Sequence, residues 1–164
     1  MKFDRELEEG CSLRDAGRFL EAKQQFFKIA HEATDPIAKL SAVVYNVPVL
    51  SALGEFDAAK HELRVAQELM EQAQSLTLDS ECAQRRSFLE VDFDFEIADL
   101  SWAEGKLQDA EARFDTHLRK HADKFRRPEF RFSWEVAYIR RAFVLADMGR
   151  WQEAPCFDDR FRLC

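Results

Sequence analysis

The sequence predicts an all-α protein built from helical hairpins, and two observations support this fold class. One is a pattern found four times: glycine, a charged residue, a bulky apolar residue, two variable positions and alanine, at 17–22, 54–59, 105–110 and 149–154. The glycine supplies the positive φ that ends many helices, and the alanine lets the next helix pack closely. The other is composition, since 164 residues contain five glycines and four prolines, too few for a fold rich in turns.

The first helices follow from these turns in chain order. We expect one helix over Phe3–Ala16 and a second over Phe19–Ala33, separated by Gly17. Asp35 is an expected N-cap and Pro36 an expected first-turn residue of the third helix, because aspartate accepts from free amides there and proline lacks one.

The third helix contains Pro48, which removes a backbone donor and clashes with the preceding turn. We therefore expect a bend near Val44–Val47. The bend serves either packing alone or the opening of a surface at Tyr45 and Asn46.

The later helices are expected to be longer. They cover Phe56–Ser75, then Glu81–Glu104 after an Asp79–Ser80 cap, then a segment following the third turn, and then Pro128–Met148. A short segment after Trp151 completes the expected total of eight helices.

The turn pattern resembles the tetratricopeptide repeat, a helical hairpin of about 34 residues. In the first repeat the resemblance lies in Phe26, Ala30 and Pro36, and in the second in Leu63 and Ala66. It implies a right-handed α-solenoid of about four hairpins within one domain spanning 1–164. The repeats are 3–35, 36–78, 79–126 and 127–164, the last truncated or atypical, and the wider spacing of the turns implies lengthened helices.

The resemblance also implies a ligand groove lined by the first helix of each repeat. The candidate groove residues are Tyr45, Asp92, Phe95, Glu96, Asp99, Trp102, Ile139, Arg140 and Phe143. The family's clamp for peptide carboxylates needs lysine and asparagine where Leu7, Cys11 and Tyr45 stand, so binding of chaperone tails is not expected. The expected partner is a protein or peptide with apolar anchors and basic flanks.

Three of these residues form an acidic stripe at helical spacing: Asp92, Glu96 and Asp99. Like charges one turn apart repel, and Arg140 and Arg141 are candidates to neutralise them. An internal ion-pair network, a ligand contact and acid–base catalysis all remain open interpretations of the stripe.

The sequence predicts no enzyme, no cofactor and no metal. It contains no glycine-rich phosphate loop or nucleophile elbow. His117 and His121 lie one turn apart, as in some metal sites, but Leu118-Arg119-Lys120 between them favours a structural role.

The net charge and the composition of the amino-terminal segment indicate which partners the protein binds and where in the cell it is expected. The net charge of −7 argues against a nucleic-acid partner, although residues 118–131 are rich in lysine and arginine. That run is interpreted as a solvated helix end, with partner or nucleic-acid contact as alternatives. The acidic amino-terminal segment, the absence of a long apolar stretch and the unpaired spacing of four cysteines predict a cytoplasmic protein with reduced thiols and no membrane contact.

The last repeat lacks an evident capping helix, so its apolar residues are candidates for self-association: Trp134, Trp151, Phe157 and Phe161. A homodimer, a tail that folds back and a truncated chain are the alternatives. The predicted function is a non-enzymatic protein–protein interaction module. A peptide-responsive regulatory sensor and a self-associating structural protein are its alternatives.

Overall fold

The computed structural model describes residues 3–153, and the regular structure in this range is entirely helical. The α-helices are α1 (Asp4–Asp15), α2 (Phe19–Glu32), α3 (Pro36–Ala52), α4 (Phe56–Gln74), α5 (Ser80–Ala103), α6 (Leu107–Lys120), α7 (Ala122–Phe125) and α8 (Arg131–Asp147). Two 3₁₀ turns cover Pro128–Phe130 and Trp151–Glu153. The all-α prediction is confirmed, and α1, α2, α4 and α5 begin and end within one residue of the predicted positions.

Each repeated glycine forms the same turn. The four have φ values between 73° and 75°: Gly17, Gly54, Gly105 and Gly149. At the first turn, the Gly17 N–H donates to the Arg14 carbonyl and the Arg18 N–H donates to the Leu13 carbonyl, both at 2.9 Å. The same pair of bonds recurs at the other three turns and satisfies carbonyls at the end of the helix. The predicted left-handed glycine is therefore confirmed at every turn.

At the first three turns, the alanine of the pattern is the fourth residue of the following helix. Ala22, Ala59 and Ala110 are completely buried, and each donates its N–H to the carbonyl of the residue that follows the turn glycine. Their predicted role in close helix packing is confirmed. Ala154 of the fourth turn lies outside the described residues.

The chain divides into two compact units, Met1–Leu100 (unit one) and Ser101–Cys164 (unit two). In unit one, α1 packs against α2 and α3, α2 packs against α3, and α3 packs against α4. Core side chains of α3 pack with those of α1 and α2 in one cluster and with those of α4 in another. Leu89 and Phe93 of α5 belong to the cluster that α3 shares with α4. α3 is therefore the central helix of unit one.

The start of α3 agrees with its predicted cap. The Asp35 carboxylate accepts hydrogen bonds from the Ile37 and Ala38 amides at 3.1 and 3.3 Å, and Pro36 is the first helical residue. The helix continues through Pro48 to Ala52. The bend near Val44–Val47 stays a prediction.

In unit two, α6, α7 and both 3₁₀ turns pack against α8. Two features differ from the predicted elements. Residues 128–130 form a 3₁₀ turn, so α8 begins at Arg131 and not at Pro128. The short α7 was not predicted, because no glycine or proline marks its start; it closes through the Phe125 N–H, which donates to the His121 carbonyl at 3.0 Å.

The end of the described chain also differs from the expected hairpin. Residues 151–153 form a 3₁₀ turn, and Trp151, in the position of the bulky turn residue, is 66% exposed. The corresponding Phe19 and Phe56 of the first two turns are partly buried against the core of unit one. The fourth turn thus keeps its hydrogen bonds while its bulky side chain remains in solvent.

A polar pair lies inside unit one, between α3 and α4. Asn46 is 2% exposed, and its amide N–H donates to the Glu62 carboxylate over a long 3.5 Å. The Asn46 side-chain oxygen has no partner within residues 3–153. Burial raises the pKa of Glu62, while the Asn46 hydrogen bond and the charge of His61 lower it. Of the two interpretations of the Pro48 bend, the one that opens a surface at Asn46 is not supported, because the Asn46 side chain is buried against α4.

Replacing Gly54 by alanine should reduce the unfolding free energy by about 1 kcal/mol, because an L-residue resists φ of 73°. An added methyl group would have no atom within 4 Å, so the change isolates backbone strain. Gly10→Ala should cost more, about 1–3 kcal/mol, because its Cβ would lie 2.6 Å from the Phe26 ring. Urea denaturation measures both; a Gly10 variant no less stable than the Gly54 variant would contradict this packing.

Glu62→Gln should stabilise the protein by about 1 kcal/mol at pH 7.5, because a neutral amide removes a buried charge and can donate to Asn46. A carboxyl group with a raised pKa contributes stability when protonated and loses it as the pH rises through that pKa. The gain should therefore shrink at pH 4. Chemical denaturation at both pH values tests this, with the exposed Glu68→Gln on the same helix as control; an equal gain at both pH values would refute it.

Candidate functional site

Polar side chains from three helices of unit one interact with one another. Cys11 and Arg14 come from α1, Tyr45 from α3, and Asp92 and Glu96 from α5; together they are called the polar site. Asp92 interacts electrostatically with Arg14, Tyr45 and Cys11, and Glu96 interacts with Arg14. All five residues are partly buried.

Asp92 is the acidic group of the polar site whose pKa departs most from its ordinary value. Protein atoms surround its carboxyl group closely, and this burial raises its pKa to about 6, although the Arg14 charge opposes the shift. Its carboxylate makes no hydrogen bond or close ion pair within the described chain. Arg14 instead donates its Nε–H to the Asp15 carboxylate at 2.8 Å. No protein group within residues 3–153 therefore donates to this partly exposed carboxyl group.

The Tyr45 side chain is held in place by the packing of its aromatic ring. The ring packs edge-on against Phe26 with centroids 6.3 Å apart. Burial and the nearby Asp92 charge raise the pKa of the phenol, so it stays protonated at neutral pH. Its hydroxyl, like the Asp92 carboxylate, has no hydrogen bond within residues 3–153.

Two further groups define the surroundings of the polar site. Burial raises the pKa of Cys11, so this residue is a neutral thiol and not a reactive thiolate. On the same two helices, Arg85 of α5 forms a 2.6 Å ion pair with Asp4 of α1. This pair joins α1 to α5 and helps fix the spacing of the polar site.

Unit two contains an aromatic cluster formed by Trp102, Arg140, Phe143 and Asp147. The Trp102 and Phe143 rings stack with centroids 6.3 Å apart and an interplanar angle of 18°. The indole N–H of Trp102 donates to the Asp147 carboxylate at 2.7 Å, and the Arg140 guanidinium lies 5.2 Å from the indole centroid. Phe143 remains 51% exposed. The rings thus present a fixed apolar surface to solvent.

The predicted groove residues separate into groups. In unit one, the Asp92 charge raises the pKa of Tyr45, and the Arg14 charge acts on Asp92 and is itself affected by Glu96. In unit two, Trp102, Arg140 and Phe143 come together. For the remaining three, which are partly buried, the groove role stays a prediction: Phe95, Asp99 and Ile139.

Sequence reasoning missed how some of these residues are fixed. Trp102 and its acceptor Asp147 are 45 residues apart, a separation that carries no periodic signal. Arg141, expected to neutralise the acidic stripe, lies 3.3 Å from Glu111 and 3.7 Å from Asp115 on α6. Only the arrangement of α6 against α8 reveals these pairs.

The two histidines of α6 and its C-cap are packed inside unit two. His117 is 2% exposed and His121 is 4% exposed, and their rings are 5.2 Å apart. Phe125 lies against both rings, at 5.5 and 6.1 Å. Both imidazole rings therefore belong to the packed interior of unit two.

The basic run at 118–131 is interspersed with acids that pair with it. Ion pairs of this region include Arg119–Asp115, Arg126–Asp123, Arg127–Glu129 and Arg131–Glu135. A surface that collects phosphates needs cations free to contact them. The pairing favours the interpretation of this run as a solvated helix end.

The self-association candidates have different environments. Trp151 is 66% exposed, whereas Trp134 is partly buried and stacks on Tyr138 with centroids 5.1 Å apart. Phe157 and Phe161 lie outside the described residues.

Comparison with protein-family models, curated proteins and solved structures finds no match. Within the described range, no helix has both the length and the apolar character that a membrane crossing requires.

Proposed function

We propose that this protein is a right-handed α-solenoid of tetratricopeptide-like hairpins that acts as a non-enzymatic interaction module. It binds a protein or peptide segment that carries apolar anchors and basic flanks. The observation that carries this proposal is the aromatic cluster of unit two, in which exposed Phe143 stacks on Trp102.

The aromatic cluster is suited to binding because its rings are already held in place. The Trp102 indole donor is satisfied by Asp147, so covering the ring leaves no buried N–H without an acceptor. Stacking and the Arg140 contact restrict the side chains before a partner arrives, which lowers the entropy lost on binding. Tryptophan and arginine are also the residue types that most often dominate binding energy.

Charge favours a partner with basic flanks. The chain carries a net charge of −7, which raises the association rate of cationic segments. In unit one, the Asp92 carboxylate lies partly buried without a hydrogen bond inside the described chain, so a donor supplied by a partner would improve its environment. Apolar anchors and basic residues are therefore recognised by different surfaces.

Selection from a random-peptide phage library tests the proposal. Enriched peptides should combine bulky apolar residues with arginine or lysine. Phe143→Ala should weaken their binding about tenfold or more, because it removes the exposed ring at the centre of the cluster. Fluorescence anisotropy with a labelled selected peptide measures the loss.

Phe132→Ala is the matched control, since Phe132 lies on the same helix, is 75% exposed and is outside the aromatic cluster. Its affinity for the peptide should equal that of the parent chain. Enrichment of acidic peptides, or equal losses in the Phe143 and Phe132 variants, would overturn the proposal.

Self-association is a second candidate function, favoured by the exposed Trp151. A tryptophan with 66% of its surface in water gains apolar burial when a second copy covers it. The expected assembly is a homodimer through the carboxy-terminal repeat.

Trp151→Ser should shift a dimer toward monomer in sedimentation-velocity experiments, because the substitution removes the large apolar surface at the contact. Leu20→Ser in unit one is the control, since Leu20 is similarly exposed at 64%. A parent chain that sediments as a monomer at all concentrations would exclude this candidate.

A further inference from the structure

Two buried histidines of unit two lie together at the junction of α6 and α7. His117 belongs to the last turn of α6, and His121 is the residue between the two helices. The His121 N–H donates to the His117 carbonyl at 3.1 Å, so the helical turn continues from one residue to the other. Residues four apart in a helix lie on the same face, which places the two imidazoles side by side.

The separation of the two rings suits a shared metal ion. Each imidazole offers one ligand nitrogen, and these two atoms lie within 4.8 Å of each other. Two nitrogens bound to one tetrahedral Zn²⁺ are about 3.4 Å apart, because each Zn–N bond is about 2.0–2.1 Å long. A small rotation of the rings closes this difference. The pair can therefore supply two ligands while the backbone keeps its position.

The packing of the pair favours metal binding by rings that are already held in place. His117 and His121 are 2% and 4% exposed, and the Phe125 ring of α7 lies against both of them. Side chains that are restricted before a ligand arrives lose less entropy when it binds. A metal at this point would join the last turn of α6 to the first turn of α7.

The two cations between the histidines are in water. Arg119 forms a 2.6 Å ion pair with Asp115, and its side chain is 74% exposed. Lys120 is exposed as well. Solvent and salt weaken the repulsion that exposed charges exert on a bound metal. The argument from sequence that these residues oppose a metal therefore loses its force in the folded protein.

We propose that His117 and His121 bind one divalent transition-metal ion of the class that prefers imidazole, with Zn²⁺ as the probe. Imidazole suits Zn²⁺, Cu²⁺ and Ni²⁺, whereas Mg²⁺ and Ca²⁺ prefer oxygen ligands. The bound metal stabilises unit two, because it ties α6 to α7 in the folded state only. The site shares no residue with the aromatic cluster and does not depend on the proposed function.

The first experiment titrates the full chain with Zn²⁺ and follows the imidazole signals of its four histidines by ¹H–¹⁵N NMR. The His117 and His121 signals should shift together and saturate at one Zn²⁺ per chain. His31 and His61 are exposed and serve as internal controls, so their signals should stay unchanged. Mg²⁺ is the matched probe and should shift none of the four.

Two outcomes of this titration would overturn the metal site. One is Zn²⁺ that leaves the His117 and His121 signals unchanged, as it would on binding a cysteine or an exposed histidine. The other is an equal shift of both signals with Mg²⁺, because oxygen-preferring cations do not report on imidazole ligands.

A variant of one ligand separates metal binding from packing. His121→Gln should weaken Zn²⁺ binding about tenfold or more, because one of two ligands is lost. His31→Gln, at an exposed position, is the control and should bind like the parent chain. Isothermal titration calorimetry measures the affinities, and circular dichroism confirms that each variant is folded. A folded His121→Gln with undiminished affinity would refute the assignment, and if this variant does not fold, the titration of the parent chain decides.

Thermal unfolding tests the stabilising role. Zn²⁺ at about 100 times its Kd should raise the Tm by about 5–10 °C, because a ligand of the folded state shifts the unfolding equilibrium. Excess EDTA should reverse the rise, and His31→Gln should keep it. An unchanged Tm with Zn²⁺, or the same rise in folded His121→Gln, would contradict a metal held by this pair.

Discussion

A left-handed glycine with two hydrogen bonds ends the helix at each of the four turns, and both units are built around this constraint. The amide of the glycine and the amide of the next residue satisfy carbonyls that would otherwise face solvent or core without a donor. At the first three turns, the carbonyl of that next residue then accepts from the buried alanine in the first turn of the following helix. One helix end and the next helix start are thereby joined in a single hydrogen-bonded unit.

The positions of the polar site and the aromatic cluster depend on how these turns orient the helices. In unit one, α1 contacts α3 as well as α2, so side chains from non-consecutive helices come near one another. This is how Cys11 and Arg14 reach Tyr45 and Asp92. In unit two, Trp102 provides a carbonyl to the third turn, which places its ring beside the residues of α8 that fix it. The side chains of both surfaces are thus positioned by backbone geometry at the turns.

Local sequence signals were sufficient for most of the helices and insufficient for the contacts between them. The turn glycines, the alanines and the Asp35–Pro36 cap form hydrogen bonds with residues close to them in sequence, so their effect on helix ends can be predicted from the sequence. By contrast, α7 lacks such markers. Trp151 belongs to the turn motif but stays exposed. Asn46 of α3 contacts Glu62 of the neighbouring helix α4. The repeat pattern identifies both Trp102 and Phe143 as candidate groove residues. Their stacking and the hydrogen bond from Trp102 to Asp147 depend on tertiary packing.

Identical turns close helices of very different length, 12 residues in α1 and 24 in α5. The hydrogen bonds of the turn are therefore the same whether a short or a long helix precedes it. The length of each helix is therefore set by the residues between two turns and not by the turns themselves. This modularity gives the architecture a way to vary the length and composition of its surfaces while the elements that direct the chain stay the same.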